Sequence, residues 1–446
     1  MIRKLFVVMS FIAISLSVIP AFAQEAADGK NEEKKKDMAP KVQKQEYQHV
    51  VALGINQPFS KGTNEFGPLF AYYWFGENFT NPNLYMQFTI TTTRIFYIAA
   101  YRSDRIFAGI KPLVEHSTYS AWQAYNRGYD DYRRIFRGSD IGAVGFFQYN
   151  FLRILSARVF FHPAYFLYRL PILAENVHKY DNMPRRHWQL KPGIEVILSD
   201  TEEKSLGRIK HGYTFKLEYQ YARRIGYGTW YDYDRMIWKE KYNDMWIPPL
   251  GVTQGIWYKS TVKDTHRLYF TAGGYYNFKH DVNLQLDVYG GYFKGVDRNN
   301  AEQIGYLQAD YAIMPGYFVS EFLHNFYVIG RLQLGFPLGF WDARLQPGFN
   351  MLYMPTKNEV VGQDRGAITN QWLVRGYPRR IYTSVSVTLS MLVGNLLPIF
   401  IDYAYGIDAQ RARSANDVYL KKLSRGSHEF QVLIVGAFVK NEVKKD

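Results

Sequence analysis

Apolar and polar side chains alternate with a period of two through many segments of this chain. In the clearest segment, Tyr213–Tyr221, every second residue is aromatic or aliphatic and the residues between them are polar or charged. The same alternation recurs in Val282–Val288 and Val328–Phe336. Successive side chains of a strand point to opposite faces, so each segment predicts a β-strand with one apolar and one polar face. Because the pattern continues to the C-terminus without a helical domain, the sequence predicts an all-β protein.

The N-terminus has the features of a secretory signal peptide. Two cations, Arg3 and Lys4, precede an apolar run to about residue 20, and Ala-Phe-Ala then ends at Ala23. This run is shorter than the roughly twenty apolar residues of a spanning helix, which disfavours a membrane anchor. Residues 1–23 are therefore predicted to be a cleaved signal peptide.

The segment that follows the predicted cleavage site has a different composition from the rest. Residues 24–46 are charged and nearly free of large apolar side chains, which predicts a flexible periplasmic leader. Residues 47–446 are predicted to form the folded domain. The leader has no room for a folded periplasmic domain.

Composition separates two all-β classes, a soluble antiparallel sandwich and a membrane barrel. The chain has no cysteine, although small exported soluble domains commonly depend on disulfides. Aromatic residues make up 17% of the sequence, and tyrosine and tryptophan suit the edge of a bilayer. The mean hydropathy is −0.29, as expected when half of the strand residues face lipid and half face a polar lumen. These features predict a closed antiparallel transmembrane β-barrel in the bacterial outer membrane.

Long and short connections divide the predicted strands. Long polar or aromatic connections are predicted near residues 118–137, 171–184, 227–250, 357–380 and 409–427. Tight links are predicted at Val262-Lys263-Asp264 and Asn395-Leu396-Leu397. Long outer loops and short periplasmic turns are typical of outer-membrane barrels, whose strand number is even. About seventeen candidate segments are present, so we predict 16 strands, with 14 as the alternative, and assign the surplus segment to Tyr47–Asn56 or Leu84–Arg102.

The formal net charge is +14, or 14 − 2 = +12 after Arg3 and Lys4 leave with the signal peptide. A basic balance can indicate a nucleic-acid partner. Here the chain is predicted to be exported and its arginines are scattered through loops and strands. We therefore expect contact with outer-membrane lipid and the phosphates of lipopolysaccharide, and no nucleic acid.

Signatures of catalysis are absent from the sequence. It contains no phosphate-binding loop, no G-x-S-x-G and no H-E-x-x-H. His280-Asp281 has the residue types of an acid–base pair, but it lies beside a strong strand and is predicted to form a hairpin turn. No cluster of ligands indicates a metal site. We expect neither an enzyme nor a cofactor.

One motif in a predicted long loop carries a more specific signal. Val374, Arg375, Gly376 and Tyr377 resemble the V-R-G-[FY] motif of the BamA/TamA bacterial surface antigen superfamily. In that family the loop folds back into the barrel and its arginine meets an acidic side chain of the inner wall. An arginine in a narrow lumen is well served by a carboxylate, which accepts from its planar fork of donors.

Two further segments extend the resemblance to about residues 190–440. Gly193–Thr201 followed by Gly212-Tyr213 is similar to the family's D-T-R-D…P…G-Y strand–turn–strand, although Glu202 and Glu203 replace the arginine and aspartate and the proline is missing. The C-terminal segment is similar to the closing strand that assembly machinery recognises, through Phe430, Val432, Ile434, Gly436 and Phe438.

The resemblance implies a partner for Arg375. Asp402 is the first candidate for the inner-wall acid, because alternation places it on the inward face with Ile401 and Tyr403 outward. Ala404 stands where the family usually has glycine, so the same segment also fits a penultimate strand.

The resemblance also implies a function. The family normally carries periplasmic POTRA domains, and the predicted leader is too short for one. This chain is therefore expected to be a POTRA-less member that assists insertion or translocation of proteins or lipids at the outer membrane. The alternative is a passive pore or a secretion-apparatus barrel with no assembly role. Expected partners are outer-membrane lipid, lipopolysaccharide and the assembly machinery that recognises the C-terminal strand.

Overall fold

The computed structural model describes most of the predicted barrel. The described residues are 44–58, 67–77, 83–91, 94–116, 124–126, 129–131, 137–169, 185–204, 208–227, 230–233, 257–260, 262–295, 302–304, 313–317, 322–324, 326–354, 380–394, 397–411 and 424–443. The predicted signal peptide and nearly all of the predicted leader lie outside them.

Sixteen antiparallel strands form one closed barrel, which confirms the predicted fold class and strand number. Their bounds are β1 Lys44–Pro58, β2 Gly67–Glu77, β3 Leu84–Thr91, β4 Arg94–Arg102, β5 Ile106–His116, β6 Arg137–Leu152, β7 Leu155–Arg169, β8 His187–Lys204, β9 Arg208–Ile225, β10 Asp264–Asn277, β11 Asn283–Lys294, β12 Phe326–Pro337, β13 Arg344–Tyr353, β14 Ile381–Val393, β15 Leu397–Arg411 and β16 Ser424–Val443. Each strand pairs with its neighbour in sequence. The barrel closes where β16 pairs with β1, from Lys44 opposite Val443 to Pro58 opposite Glu429.

The alternation of the sequence becomes an outer and an inner wall. Leu217, Leu286 and Leu332 are exposed on the outside, whereas Glu218 and Asp287 point inward, as predicted. An apolar outer wall on a closed sheet suits a lipid bilayer, since every strand is paired and no backbone edge remains open.

Part of the inner wall departs from the expected polar lining. Val50 and Ala52 of β1, Tyr73 of β2, and Leu433 and Val435 of β16 face inward and are buried. The lumen therefore has an apolar side at the seam between the first and last strands.

All long connections lie at one end of the barrel, which we call the long-loop end. They span residues 59–66, 117–136, 170–186, 226–263, 295–325, 354–380 and 412–423, together with the short link at 92–93. The other connections form the short-turn end, at residues 78–83, 103–105, 153–154, 205–207, 278–282, 338–343 and 394–396. The five predicted long connections are confirmed, and the connections at 59–66 and 295–325 are additional.

Two details of the sequence interpretation are wrong. Val262-Lys263-Asp264 is not a tight link, because residues 262–263 end the long connection and Asp264 begins β10. The suspected surplus segments are both wall strands: Tyr47–Asn56 lies in β1, and Leu84–Arg102 contains β3 and β4.

The turn between β10 and β11 contains a short helical element. Lys279–Asp281 forms a single 3-10 turn in which His280 and Asp281 have positive φ angles. The interpretation of His280-Asp281 as a hairpin turn is therefore confirmed. In the described part of the chain, no helix is long and apolar enough to cross a membrane.

The β8–β9 hairpin explains one residue of the family resemblance. Gly212 has φ 125°, in the region that favours glycine, and a Cβ there would overlap the carbonyl oxygen of Asp200. The pairing shifts register between Glu202 and Glu203, which is a β-bulge. The glycine of Gly212-Tyr213 is thus required by the close approach of the two strands.

Candidate functional site in the barrel lumen

The connection between β11 and β12 folds back into the barrel. Residues 313–317 are all buried, and Met314 and Tyr317 have no exposed surface. Together with Ile304 and Phe322 from a short two-stranded sheet, these residues form the inward segment. It packs against inward residues of the wall, namely Tyr269, Phe293, Tyr327, Ile329, Leu352, Met354, Tyr382 and Ala409. An apolar cluster therefore covers the inner wall from β10 to β15 at this level.

The inward segment is fixed to β14 and β15. The Tyr317 hydroxyl donates to the backbone oxygen of Thr383 at 2.9 Å. Gly316 lies directly against Gly406: a Cβ on Gly316 would lie 2.5 Å from the Gly406 nitrogen, and a Cβ on Gly406 would overlap the Gly316 oxygen. Two glycines thus allow the backbones to touch, and any side chain at either position would separate the segment from the wall.

Next to the inward segment, the side chain of Asp408 on β15 accepts hydrogen bonds from β14. Asp408 accepts from the backbone nitrogen of Thr383 at 3.2 Å and from its hydroxyl at 2.6 Å. The Thr383 carbonyl is the acceptor of Tyr317, so Asp408 and Tyr317 hold the same residue of β14.

Between the inward segment and the short-turn end, charged side chains line β7, β8 and β9. Arg158 contacts Glu195 at 3.2 Å, and Lys216 pairs with the other oxygen of Glu195 and with Glu218 at 3.4 Å. Arg158 also donates to Gln148 through two nitrogens, at 3.1 and 2.6 Å. The charges balance one another along the wall, as expected for ionised groups with restricted access to water.

Hydrogen bonds of Asp287 and Arg331 continue this polar belt across the next strands. Asp287 accepts from Tyr275 at 3.0 Å and from Gln285 at 2.6 Å. Arg331 donates to Asn350, whose amide nitrogen donates in turn to Ser384 and Ser386. Between the inward segment and the short-turn end, the inner wall is thus a connected polar surface rather than a set of isolated side chains.

A second group of charges lies on the inner wall from β4 to β8, near the long-loop end. Arg94 pairs with Glu115 at 2.5 Å, and the Lys191 nitrogen lies 3.8 Å from the fully buried carboxylate of Asp140. Lys191 also lies 4.8 Å from the ring centre of Phe166. The Lys191 cation therefore has both an acidic and an aromatic neighbour.

An ion pair links a turn to a wall strand at the short-turn end. Arg344 of β13 is 2% exposed and pairs with Asp281 of the β10–β11 turn. Asp281 also accepts from Asn277 at 2.9 Å. The turn is thus tied across β11 and β12 to β13, which sequence reasoning did not anticipate because the two residues are far apart in the chain.

The predicted site residues have different outcomes. Val374, Arg375, Gly376 and Tyr377 lie outside the described residues, so the inward position of Arg375 and its pairing with Asp402 stay predictions. Asp402 is on the inner wall of β15, as predicted, and accepts from the Thr388 hydroxyl at 2.5 Å. The segment that the structure describes inside the barrel is 313–317, which the sequence analysis missed. Its apolar residues gave no signal that separates an inward loop from a strand.

The described inner wall presents an apolar surface at the inward segment and charged surfaces elsewhere. No group of three or more histidine, cysteine or acidic residues with metal-binding geometry occurs among them. The arrangement narrows the lumen on the β10 to β15 side and can hold polar groups along the rest of the inner wall.

A closed sixteen-stranded wall with an apolar outer face defines an integral membrane β-barrel. BamA from Haemophilus ducreyi lacking POTRA domains 1–3 has this fold: the match covers 87% of this chain and 70% of that chain, at 11% identity and a TM-score of 0.53. CdiB from Acinetobacter baumannii matches over 88% of this chain and 60% of its own, at 9% identity and a TM-score of 0.50.

Other barrels match less well in shape. Pseudomonas aeruginosa OccK11 (OpdR) aligns over 89% of this chain and 96% of that chain, at 11% identity, with a TM-score of 0.38. No protein-family model and no curated protein sequence matches the chain. The resemblance to the BamA/TamA superfamily is confirmed as a likeness of fold.

Proposed function

We propose that this chain is a bacterial outer-membrane barrel that assists insertion or translocation of proteins or lipids, and that it is not a passive pore. The observation that carries the proposal is the inward segment, whose residues 313–317 are buried inside the barrel. A passive pore needs a continuous water path through its lumen. Met314 and Tyr317 put apolar surface, which excludes water, inside the barrel.

The likeness to BamA and CdiB supports the same direction, since both align over most of this chain with TM-scores of 0.53 and 0.50. In the proposed orientation the long-loop end faces the cell exterior and both chain ends face the periplasm. The outward row Phe430, Val432 and Ile434 of β16 is the proposed recognition site for the assembly machinery. The proposed role requires no catalytic step.

Conductance of the purified barrel in planar bilayers tests whether the lumen is closed. The wild-type protein should show no steady conductance. Gly406→Ala should force the inward segment off the wall and produce one, because the added methyl overlaps the Gly316 carbonyl. Gly330→Ala is the matched control, since a Cβ at Gly330 meets nothing within 4 Å. Steady conductance of wild-type protein, equal to that of Gly406→Ala, would establish a passive pore.

Refolding of a small urea-denatured outer-membrane barrel into lipid vesicles tests the assisting role. Vesicles that contain the wild-type protein should speed refolding relative to vesicles without it. If the lumen is closed and refolding is not accelerated, the insertion role is wrong. Sedimentation of cell membranes by density tests the location, because recovery with the inner membrane would contradict the outer-membrane assignment.

A further inference from the structure

A group of polar and charged side chains lies on the outer wall at the long-loop end. We call Tyr221, Arg223, Asp264, His266 and Lys294 the rim cluster. Strand register places them in rows, with Tyr221 opposite His266, His266 opposite Lys294, and Arg223 opposite Asp264. The alternating neighbours Ala222, Arg224, Thr265 and Phe293 are buried inward, which confirms that the cluster faces outward.

Directly below the rim cluster the wall is apolar. The next row consists of Tyr219, Leu268 and Tyr292, all exposed, and the row below it contains Leu217 and Phe270. Tyrosines at such a boundary mark the level of lipid headgroups, because the ring lies in apolar surroundings and the hydroxyl reaches water. The rim cluster therefore lies at headgroup level, immediately above the acyl-chain region.

The charges of the rim cluster favour an anion. Arg223 and Lys294 are exposed cations. Asp264 is the acidic member; it accepts from Tyr221 at 2.5 Å and lies 4.0 Å from Arg223. At that distance the Arg223 fork, whose side chain is 60% exposed, can still bind a second acceptor. Two cations against one carboxylate make the local balance positive.

The ring of His266 adds a further donor to these cations. Its Nδ1 lies 2.8 Å from the Tyr219 hydroxyl. When the phenol donates to Nδ1, the ring proton is on Nε2, which is then a donor for another acceptor. Arginine, lysine and an imidazole N–H on one face form a suitable donor set for phosphate oxygens.

We propose that the rim cluster binds the phosphate of a phosphorylated glycolipid, of the lipid A type, in the outer leaflet. A lipid is favoured over free phosphate because Tyr219, Leu268 and Tyr292 offer an apolar surface for acyl chains directly below the cations. The proposal goes beyond the assisting role and uses only the orientation given above.

Binding of fluorescent bisphosphorylated lipid A to the purified full-length protein in detergent tests the site. Each cation near an anionic membrane surface contributes about fivefold to binding, so the double variant Arg223→Gln/Lys294→Gln should bind roughly 30-fold more weakly. The matched control is Arg105→Gln/Arg153→Gln, which removes two exposed cations from the short-turn end and should leave binding unchanged. Equal loss in both double variants would overturn the proposal.

Two further measurements test the effect of the Asp264 charge on binding and the identity of the ligand. Asp264→Asn removes the acidic neighbour but keeps an acceptor for Tyr221, so it should strengthen binding about fivefold by the same estimate. Wild type and Arg223→Gln/Lys294→Gln should bind dephosphorylated lipid A with equal affinity. Inorganic phosphate that competes as tightly as lipid A would show that the apolar rows contribute nothing and would overturn the lipid assignment. Faster migration of unboiled samples confirms that each variant is folded, and the refolding assay reports separately on the assisting role.

Discussion

Substitution of Leu286 on β11 tests directly whether the outer face of the barrel contacts lipid. It is 49% exposed and belongs to the outward row Leu284, Leu286, Val288, Gly290 and Tyr292, one position from the centre. Arginine on a lipid face costs about 2–4 kcal/mol at the bilayer midplane and less toward the interface. We therefore expect Leu286→Arg to lower the free energy of unfolding by about 2 kcal/mol, a factor of roughly 30 in the unfolding equilibrium.

The control must place the same charge on the inner wall without breaking contacts. Alternation alone suggests Asp287→Arg, but Asp287 is 3% exposed and accepts from Tyr275 and Gln285, so that change would break the polar belt. Gln346→Arg is a better control. Gln346 is inward and half-buried, and it lies opposite Thr388, which donates to Asp402.

The assay is denaturant unfolding of the protein in lipid vesicles, followed by tryptophan fluorescence and linear extrapolation. Leu286→Met reports the effect of altered packing without charge and should change stability by less than about 1.5 kcal/mol. If Gln346→Arg destabilises the barrel as much as Leu286→Arg, the assignment of the two faces is wrong.

Three further predictions follow from closure, the turn ion pair and the loop motif. Unboiled protein should migrate faster than boiled protein in detergent electrophoresis, because a closed barrel has no edge from which to unravel; identical migration would contradict closure. Asp281→Ala should destabilise the barrel by about 1–3 kcal/mol, because it leaves buried Arg344 without its carboxylate, and adding Arg344→Met should restore part of the loss in the same denaturation assay. If Arg375 pairs with Asp402, the alanine variants of the two should not be additive in protease sensitivity of the loop, whereas additive effects would place Arg375 outside the barrel.

The sequence by itself determined the class of fold. A period of two requires only the local geometry of a strand, so Tyr213–Tyr221 and Val328–Phe336 specified which side chains face lipid before any pairing was known. The even strand number followed from closure with both chain ends at one side. The inward face of Asp402 and the hairpin turn at His280-Asp281 were also predictable, since each depends on residues close in sequence.

The contents of the lumen were decided only by the tertiary structure. Residues 313–317 are apolar in part, but a local pattern does not distinguish a loop that enters the barrel from a strand in its wall. That choice depends on Gly316 meeting Gly406, 90 residues further along the chain, and on Tyr317 reaching the Thr383 carbonyl. The ion pair of Asp281 with Arg344 is likewise a long-range contact. Such contacts form only when the closed wall brings distant strands together, because each side chain alone fits many surroundings equally well.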